Sequence, residues 1–596
     1  MRKVDRERQV AEAEELLGPS PTDLGFAKSL YFGRYDDSSL AGYPDLYSND
    51  ETNRRVVGLR EFCRTSIDPV AIDRNAEIPQ SVIAGLGKLG VLGACLPKAF
   101  GGGGMSQTSY CRLIEVLGGH CASTALFVNA HHSIGPRAVV LFGNAEQQAK
   151  YLPKLSTGDW ISAFALTEPE AGSDAANVQT QAVPTEDGRG YKLTGVKRWI
   201  TNGGIAQVLT VMARTPTGNA NETKVTAFLV TPDMLGFEVV EKRMPKCGVR
   251  GTATARLAFH GMFVPKENVL GELGKGLKVA LTVLDFGRTT FGASCTGAAK
   301  TCLELARKHA KSRVQFGEPL ANFELVKEKL AYMAAGIFAM EAATYQTAAL
   351  IDSGVGEFIM ETAMLKVFST ETLWKIIYDT FQIHGGKAYF TDEPFERMMR
   401  DARINQIGEG ANDVLRAFVA LVGMRDVGLH LQSVLNAAKS PLKNLGKLGR
   451  FAGHKLESMF SSPHVGVANA ELHADAARLG ALVGSFGVNV EKLLRTYQES
   501  ILDRQYQLGR AADAATELYV SACVLRRLDW LLSHAAHASH DGRPAEGQPP
   551  CNVKRDVAIG RYYLKTAERR INANLAALWS NDDGETTATA DIVLAD

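Results

Sequence analysis

The sequence predicts a mainly α-helical protein with a β-domain set into its middle, and three observations carry that expectation. Before about residue 155 and after Leu270, apolar residues recur at spacings of three and four, as in VVGLREFCR and SVIAGLGKLGVL. Between Ile161 and Val269 the pattern changes: VLTVMART and KVTAFLVT are rich in β-branched residues, and turn signals such as Thr-Asn-Gly-Gly separate the runs. At 596 residues the chain is too long for one core, so several domains are expected. The expected division is an arm (1–45), a helical domain (46–160), a β-domain (161–270), a helical bundle (271–430) and a helical extension (431–596).

Each part has its own reasons. The arm is polar and broken by Gly18, Pro19 and Pro21, which suits a short helix and a tether. Its opening, MRKVDRERQVAEAEELL, has no apolar core and carries many acids, unlike a secretory signal or a mitochondrial transit peptide. With Met1 as the natural start the expected address is the cytoplasm, and the mitochondrial matrix only if a transit peptide is missing from this sequence. AFGGGGMS at Ala99–Ser106 reads as a connector, because four successive glycines oppose a helix and no P-loop lysine accompanies them. In the extension, Leu442, Leu445, Leu448, Ala452, Leu456 and Met459 recur at helical spacing among Lys443, Lys447, Arg450 and Lys455. That basic amphipathic stretch, about 440–460, suits either peripheral contact with an anionic membrane or packing on its own protein, and Gly446, Gly449 and Gly453 weaken its helix. Ala511–Ala535 reads as a buried partner helix and His537–Pro550 as a loop.

Composition excludes some classes. Apolar content of 45% and charged content of 22% are those of a globular protein, and no apolar run reaches the ~20 residues of a membrane span. A formal charge of +1 gives no reason to expect a nucleic-acid partner. Nine scattered cysteines without a CxxC pair argue for reduced, mostly buried thiols and against a structural metal site.

The chemistry centres on Gln382–Arg416, QIHGGKAYFTDEPFERMMRDARINQIGEGANDVLR. A single carboxylate, Glu409, stands between Gly408 and Gly410, where the lack of side-chain bulk lets a ligand approach the backbone. From these residues alone two readings stand: a tuned general base, or a polar loop whose glutamate faces water.

This stretch resembles the acyl-CoA dehydrogenase family, in the order Q-x-x-G-G, M-R-D-A-R, E-G-x-N-D-x-L-R. Upstream, FALTEPEAGSD (Phe164–Asp174), KRWITNGG (Lys197–Gly204) and RVQFGEPLANFE (Arg313–Glu324) also match, and the added C-terminal helices resemble its very-long-chain branch. The resemblance implies a helical N-terminal domain, a β-barrel-like middle domain and a helical bundle, with FAD as cofactor. It implies Glu409 as the base that takes the α-proton and flavin N5 as acceptor of the β-hydride, yielding a trans-2-enoyl-CoA. Some branches carry the base on the helix that here reads LDFGRTTFG, but the matching position is Gly287. Arg288 would support the site, and Asp285 and Ser173 would meet the CoA moiety. Phe164, Leu166, Thr167, Ser173, Trp199 and Thr201 would hold the flavin. Arg313, Phe316, Phe323, Glu324, Gln382, Gly385 and Gly386, with Ala411, Asn412 and Asp413, match positions around its adenine and pyrophosphate, shared across a dimer interface.

There are departures. Ala411 stands where threonine is usual, losing a hydroxyl worth about 0.5–1.5 kcal/mol. Gly408 replaces an aromatic beside the thioester, and Glu324 a glutamine. In ALFVNAHHSIG, Leu126 and Ala130 fall where medium-chain members close the acyl tunnel with polar residues. With Gly408 and Gly410 they are the expected substrate-binding positions; Leu126 and Ala130, together with the C-terminal extension, favour a long-chain acyl-CoA, each buried methylene contributing about 0.8 kcal/mol, while Gly408 leaves the chain selectivity beside the thioester open. His131 and His132 read as core histidines. The implied partners are an electron-transfer flavoprotein and a second copy of the chain, as a homodimer. The alternatives are an acyl-CoA oxidase that uses oxygen and a non-catalytic assembly protein with the same extension.

Overall fold

The computed structural model describes residues 24–217, 219–438, 462–538 and 552–595. The basic stretch at 442–459, most of the 537–550 loop and the first 23 residues lie outside the described residues.

The N-terminal layer holds α1 (Gly25–Tyr31), α2 (Asp50–Ser66), α3 (Pro69–Asn75), α4 (Gln80–Lys88), α5 (Gln107–His120), α6 (Ala122–Asn129), α7 (Gly135–Phe142) and α8 (Ala145–Thr157). Their starts are written in the sequence: Asn49, Asp68, Ser106 and Asn144 each accept a first-turn N–H, and Asn144 with Gln147 closes a capping box. The middle domain is one sheet of β1 (Ser162–Ala165), β2 (Gln181–Pro184), β3 (Gly190–Ile200), β4 (Val208–Thr217), β5 (Asn219–Val230), β6 (Phe237–Glu241), β7 (Ala255–Pro265) and β8 (Val269–Leu270). It runs in the order β6-β7-β3-β2-β4-β5-β8, with β1 parallel to β4. A short hairpin, β9 (Val314–Gln315) and β10 (Glu318–Pro319), stands apart from it.

The bundle is α9 (Gly276–Ser312), α10 (Glu324–Asp352), α11 (Ile359–His384), α12 (Phe395–Arg403) and α13 (Asn412–Ala438). The extension adds α14 (His473–Tyr497), α15 (Gln505–Ala538), α16 (Val553–Ala577) and α17 (Asp583–Ala595). The 37-residue α9 is the spine, packed on α11 along one side and on α5 along another. Small residues permit the α5 crossing: a Cβ on Gly297 would lie 1.9 Å from the Glu115 carbonyl oxygen, and one on Gly118 2.3 Å from that of Ser294.

The extension is fused to the bundle, not appended to it. One continuous core joins Phe338, Met364 and Ile376 of the bundle to Leu518, Tyr519 and Leu528 of α15. Helix α1 is wedged into the same core with Phe26, Leu30 and Tyr31 fully buried, and its Ala27 N–H donates to Glu361 at 2.8 Å. Among the described residues no helix is long and apolar enough to cross a membrane. The eight described cysteines are free thiols; six are buried, and Cys247 is exposed.

Candidate active site

Glu409 lies in the loop between α12 and α13, on a left-handed backbone (φ +59°) followed by Gly410 (φ +98°). For a glutamate that conformation is strained and persists only where neighbours hold it. They do. The Gly410 carbonyl accepts from Lys366 Nζ at 2.7 Å, and the Glu409 carbonyl from Arg288 Nε at 3.3 Å. The side chain runs toward α9, where a Cβ on Gly287 would lie 2.8 Å from Glu409 Oε2 and 3.5 Å from Ile134 Cγ1. The room left by Gly287 is therefore taken by the Glu409 carboxylate itself. Oε2 is buried without a hydrogen-bond partner, and burial pushes the carboxyl up to about 7 against the pull of Arg288 and Lys366.

Two cations face this carboxylate, each fixed from behind. Arg288 donates to Asp285 Oδ1 at 3.0 Å, which also accepts from Thr362 Oγ1 at 2.9 Å. Asp285 is buried, and its carboxylate is engaged by Arg288 and Thr362. Lys366, fully buried, also donates to Asn412 Oδ1 at 2.8 Å, and burial draws it down to about 8 although Glu409 favours its charged form. Asn412 in turn donates to Thr370 at 3.0 Å and to Glu371 at 2.8 Å. Lys366 and Glu371 escape a reading of the sequence, because they sit mid-helix in α11 with no motif spacing to mark them.

A second constellation lies in the sheet. Phe164 lies half-buried in β1, and Leu166 and Thr167 belong to the loop after it. That loop is pinned by a buried ion pair: Lys197 Nζ meets Glu168 Oε1 at 2.6 Å and the Leu166 carbonyl at 2.9 Å. Burial works against the Glu168 charge, but Lys197, Thr180 and the Gln179 N–H outweigh it and hold the carboxyl below its usual range. The Thr167 carbonyl accepts the Arg198 N–H at 3.1 Å, which ties the loop to strand β3. Beside it Trp199 takes φ +62° and stays 49% exposed, far from the core tryptophan its strand position suggests. Thr201 is half-buried next to Asn202, whose amide donates to the Phe127 carbonyl at 3.0 Å, and Ser173 is exposed. An exposed indole beside a loop pinned by a buried ion pair fits a flat heteroaromatic ring.

A third group gathers where α9 and α11 end. His309 stacks on His384 at 4.4 Å and so sets the β9–β10 hairpin beside the Gly385–Gly386 turn. Phe316 tips the hairpin at φ +54° and 96% exposure, edge-on to Phe323 at 6.2 Å. Arg313, Glu324, Gln382 and both glycines are exposed, and a Cβ on either glycine would meet no atom within 4 Å. That open cradle suits a phosphate or a packed second chain. Among the described residues no hydrogen bond, ion pair or ring contact joins this group to Glu409 or Trp199 within one chain. Ala411 is half-buried, and the Asp413 side chain is wholly exposed.

Near the base, Ala130 opens a π-helical turn, Ala130–Ile134, a form frequent at functional sites, and Leu126 is half-buried one turn earlier. Ile134 is the residue this turn brings toward Gly287. His131 is neutral, pulled to about 4 by burial, and bonded to the Leu155 carbonyl and the Ser162 N–H. His132 Nε2 accepts the Cys95 N–H. A Cβ on Gly408 would meet only the Ile404 carbonyl, at 3.6 Å, so space is open on that side of the base.

Family models for the acyl-CoA dehydrogenase N-terminal, middle and C-terminal domains match residues 50–159, 163–262 and 274–423, and one for the ACAD9/ACADV C-terminal domain matches 470–593. The human mitochondrial very long-chain specific acyl-CoA dehydrogenase is 36% identical over 93% of this chain and 84% of its own length. The Mycobacterium tuberculosis protein named Probable acyl-CoA dehydrogenase FadE10 is 33% identical over 99% and 92%. The solved Bacillus anthracis acyl-CoA dehydrogenase complexed with FAD superposes with a TM-score of 0.75 at 28% identity, covering 92% of each chain. Butyryl-CoA dehydrogenase from Megasphaera elsdenii superposes with a TM-score of 0.59 at 35% identity over 62% of this chain. The chain belongs to the acyl-CoA dehydrogenase family, FAD-dependent oxidoreductases of acyl-CoA, in the group that carries the additional C-terminal helical domain.

Proposed function

We propose that this enzyme oxidises long- and very-long-chain acyl-CoA to trans-2-enoyl-CoA, with Glu409 as the base that takes the α-proton. The observation that carries the reading is the Glu409 carboxylate: buried, unbonded at Oε2, raised to about 7, and flanked by two fixed cations. A carboxylate so placed is weakly solvated yet ionised at slightly alkaline pH, the state needed to accept a proton from carbon. Arg288 and Lys366 hold its backbone carbonyl and that of Gly410, and both oppose protonation before substrate arrives. The Glu409 N–H would help to polarise the thioester oxygen.

When bound, FAD supplies the acceptor for the β-hydride, chemistry no side chain performs. Leu166, Thr167, Trp199 and Thr201 would hold its ring; Arg313, Phe316, Phe323, Gln382, Gly385 and Gly386 would meet its adenine and pyrophosphate from a second chain. Ser173, exposed beside the Thr167 loop, would reach the CoA phosphates. A homodimer is supported by the open cradle at Gly385–Gly386 and the exposed Phe316 beside it, which a second chain would cover. Long chains are supported by the apolar Leu126, the small Ala130, the space beside Gly408, and the name of the human relative. Re-oxidation by an electron-transfer flavoprotein is supported by the likeness of this chain, at 34% identity and TM-score 0.60, to a chain in the solved structure of the electron transferring flavoprotein of Acidaminococcus fermentans. The basic segment near 440–460 would rest on an anionic membrane from the cytoplasmic side, testable by cosedimentation with anionic vesicles at low and high salt.

Anaerobic bleaching of the flavin by acyl-CoAs from butyryl to stearoyl tests the reading. Bleaching is expected to be strongest with long chains; a maximum at butyryl overturns the chain-length assignment. Peroxide release with oxygen as sole acceptor would mark an oxidase, and bound FAD that nothing bleaches a non-catalytic protein.

A further inference from the structure

We propose that Asp513, on α15 of the extension, is a positioning residue for the base loop: it holds Arg416, and through Arg416 and Glu371 it sets the conformation of Glu409. The proposal rests on Glu409 being the base.

The strained turn at Glu409–Gly410 has one carboxylate bonded on both sides of it. Glu371 accepts from Gln406 Nε2 at 2.8 Å before the turn and from Asn412 Nδ2 at 2.8 Å after it. Asn412 also receives Lys366, which holds the Gly410 carbonyl. Glu371 is thus the clasp of the loop, and Arg416 faces it at 3.5 Å. The stronger partner of Arg416 lies across the domain boundary: its Nε donates to Asp513 Oδ1 at 2.7 Å.

The surroundings make this pairing matter. Glu371, Arg416 and Asp513 line a cavity of about 420 Å³ between the bundle and the extension, together with Tyr332, Tyr562 and Glu517. Arg416 is 24% exposed there, so packing does not lock it. Without Asp513 the guanidinium is free to swing to Asp413, already 3.7 Å away and solvent-exposed, or fully onto Glu371, competing with Asn412 for Oε1. Either move loosens the clasp. The charged groups facing the Glu409 carboxylate itself are Arg288 from α9 and Lys366 from α11, and Lys366 is the one this loosening displaces.

The test uses full-length, FAD-loaded protein carrying Asp513→Asn, which keeps shape and removes charge. Amide hydrogen exchange across 404–413 is expected to quicken before any substrate is added. Flavin reduction by a long-chain acyl-CoA is expected to slow about three- to thirtyfold at saturation, with KM little changed and the pH midpoint displaced. Asp513→Glu is expected to recover part of both. Arg510→Gln breaks an ion pair with Asp583 elsewhere in the extension and is expected to leave loop exchange as in the parent. Should Asp513→Asn not fold, Arg416→Lys carries the same readouts. Unchanged loop exchange and pH midpoint in Asp513→Asn, or an equal effect in Arg510→Gln, overturns the proposal. Glu409→Gln run alongside separates the two readings: if it still reduces flavin normally, the base assignment fails; if it is dead while Asp513→Asn is silent, only the relay fails.

Discussion

At the residue scale, Glu409 is a carboxylate held where burial opposes its charge. Glu409 has its folded value raised, so its contribution to stability is present below about pH 4.5 and is lost as pH rises through about 7. Glu409→Gln is therefore expected to unfold at a higher temperature than the parent at pH 8 and at the same temperature at pH 4, while losing flavin reduction. A glutamate kept for packing would show the opposite pairing. Lys366→Met removes a cation that favours ionised Glu409, so the pH midpoint of flavin reduction is expected to move upward; a downward move would contradict the electrostatics. Glu409 was legible because glycines bracket it and the motif around it is long. Its partners were less so: Gly287 reads as an absent base, whereas in space it is the room the base occupies.

At the element scale, the Thr167 loop and β3 show how two distant motifs become one surface. FALTEPEAGSD and KRWITNGG each contain half of a buried ion pair, Glu168 and Lys197, and a linear reading assigns both stretches to the cofactor without seeing that they bond each other. Breaking such a pair leaves an uncompensated buried charge, so Lys197→Met is expected to cost about 3–5 kcal/mol in chemical denaturation. It is also expected to weaken FAD retention on a desalting column more than Ser173→Ala does, because Ser173 is exposed. Equal retention in the two variants would mean that the pair only stabilises the sheet. The helices and strands themselves were legible from periodicity and caps. The π-helical turn at Ala130–Ile134 was not, since its extra residue is set by packing against β1 and α9 and not by any local signal.

At the scale of the whole molecule, the fold class was legible in the change of periodicity, but the place of the extension was not. Its helices show ordinary amphipathic spacing, which says that they pack and not on what. In the structure they share the bundle's core, and an ion-pair network runs from Arg527 of α15 to Glu341 of α10, on to Lys300 of α9 and Glu115 of α5. The exposed hairpin tip makes a prediction of its own. Phe316 gives that tip an exposed apolar face (96%), and Tyr389 (77%) and Phe390 (65%) are exposed just after the Gly385–Gly386 turn. If a second chain covers that face, Phe316→Asp is expected to yield a monomer by sedimentation and to lose FAD. A variant that stays dimeric with full flavin content would place the dimer contact elsewhere.

The most direct test of the central claim, that Glu409 takes the α-proton, is deuterium incorporation at the α-carbon of a long-chain acyl-CoA held anaerobically with the FAD-loaded enzyme in D2O. The parent is expected to exchange that position, and Glu409→Gln, with FAD retained, to do so about 10²- to 10⁴-fold more slowly. Exchange at the parental rate in Glu409→Gln would contradict the account and move the base to another residue.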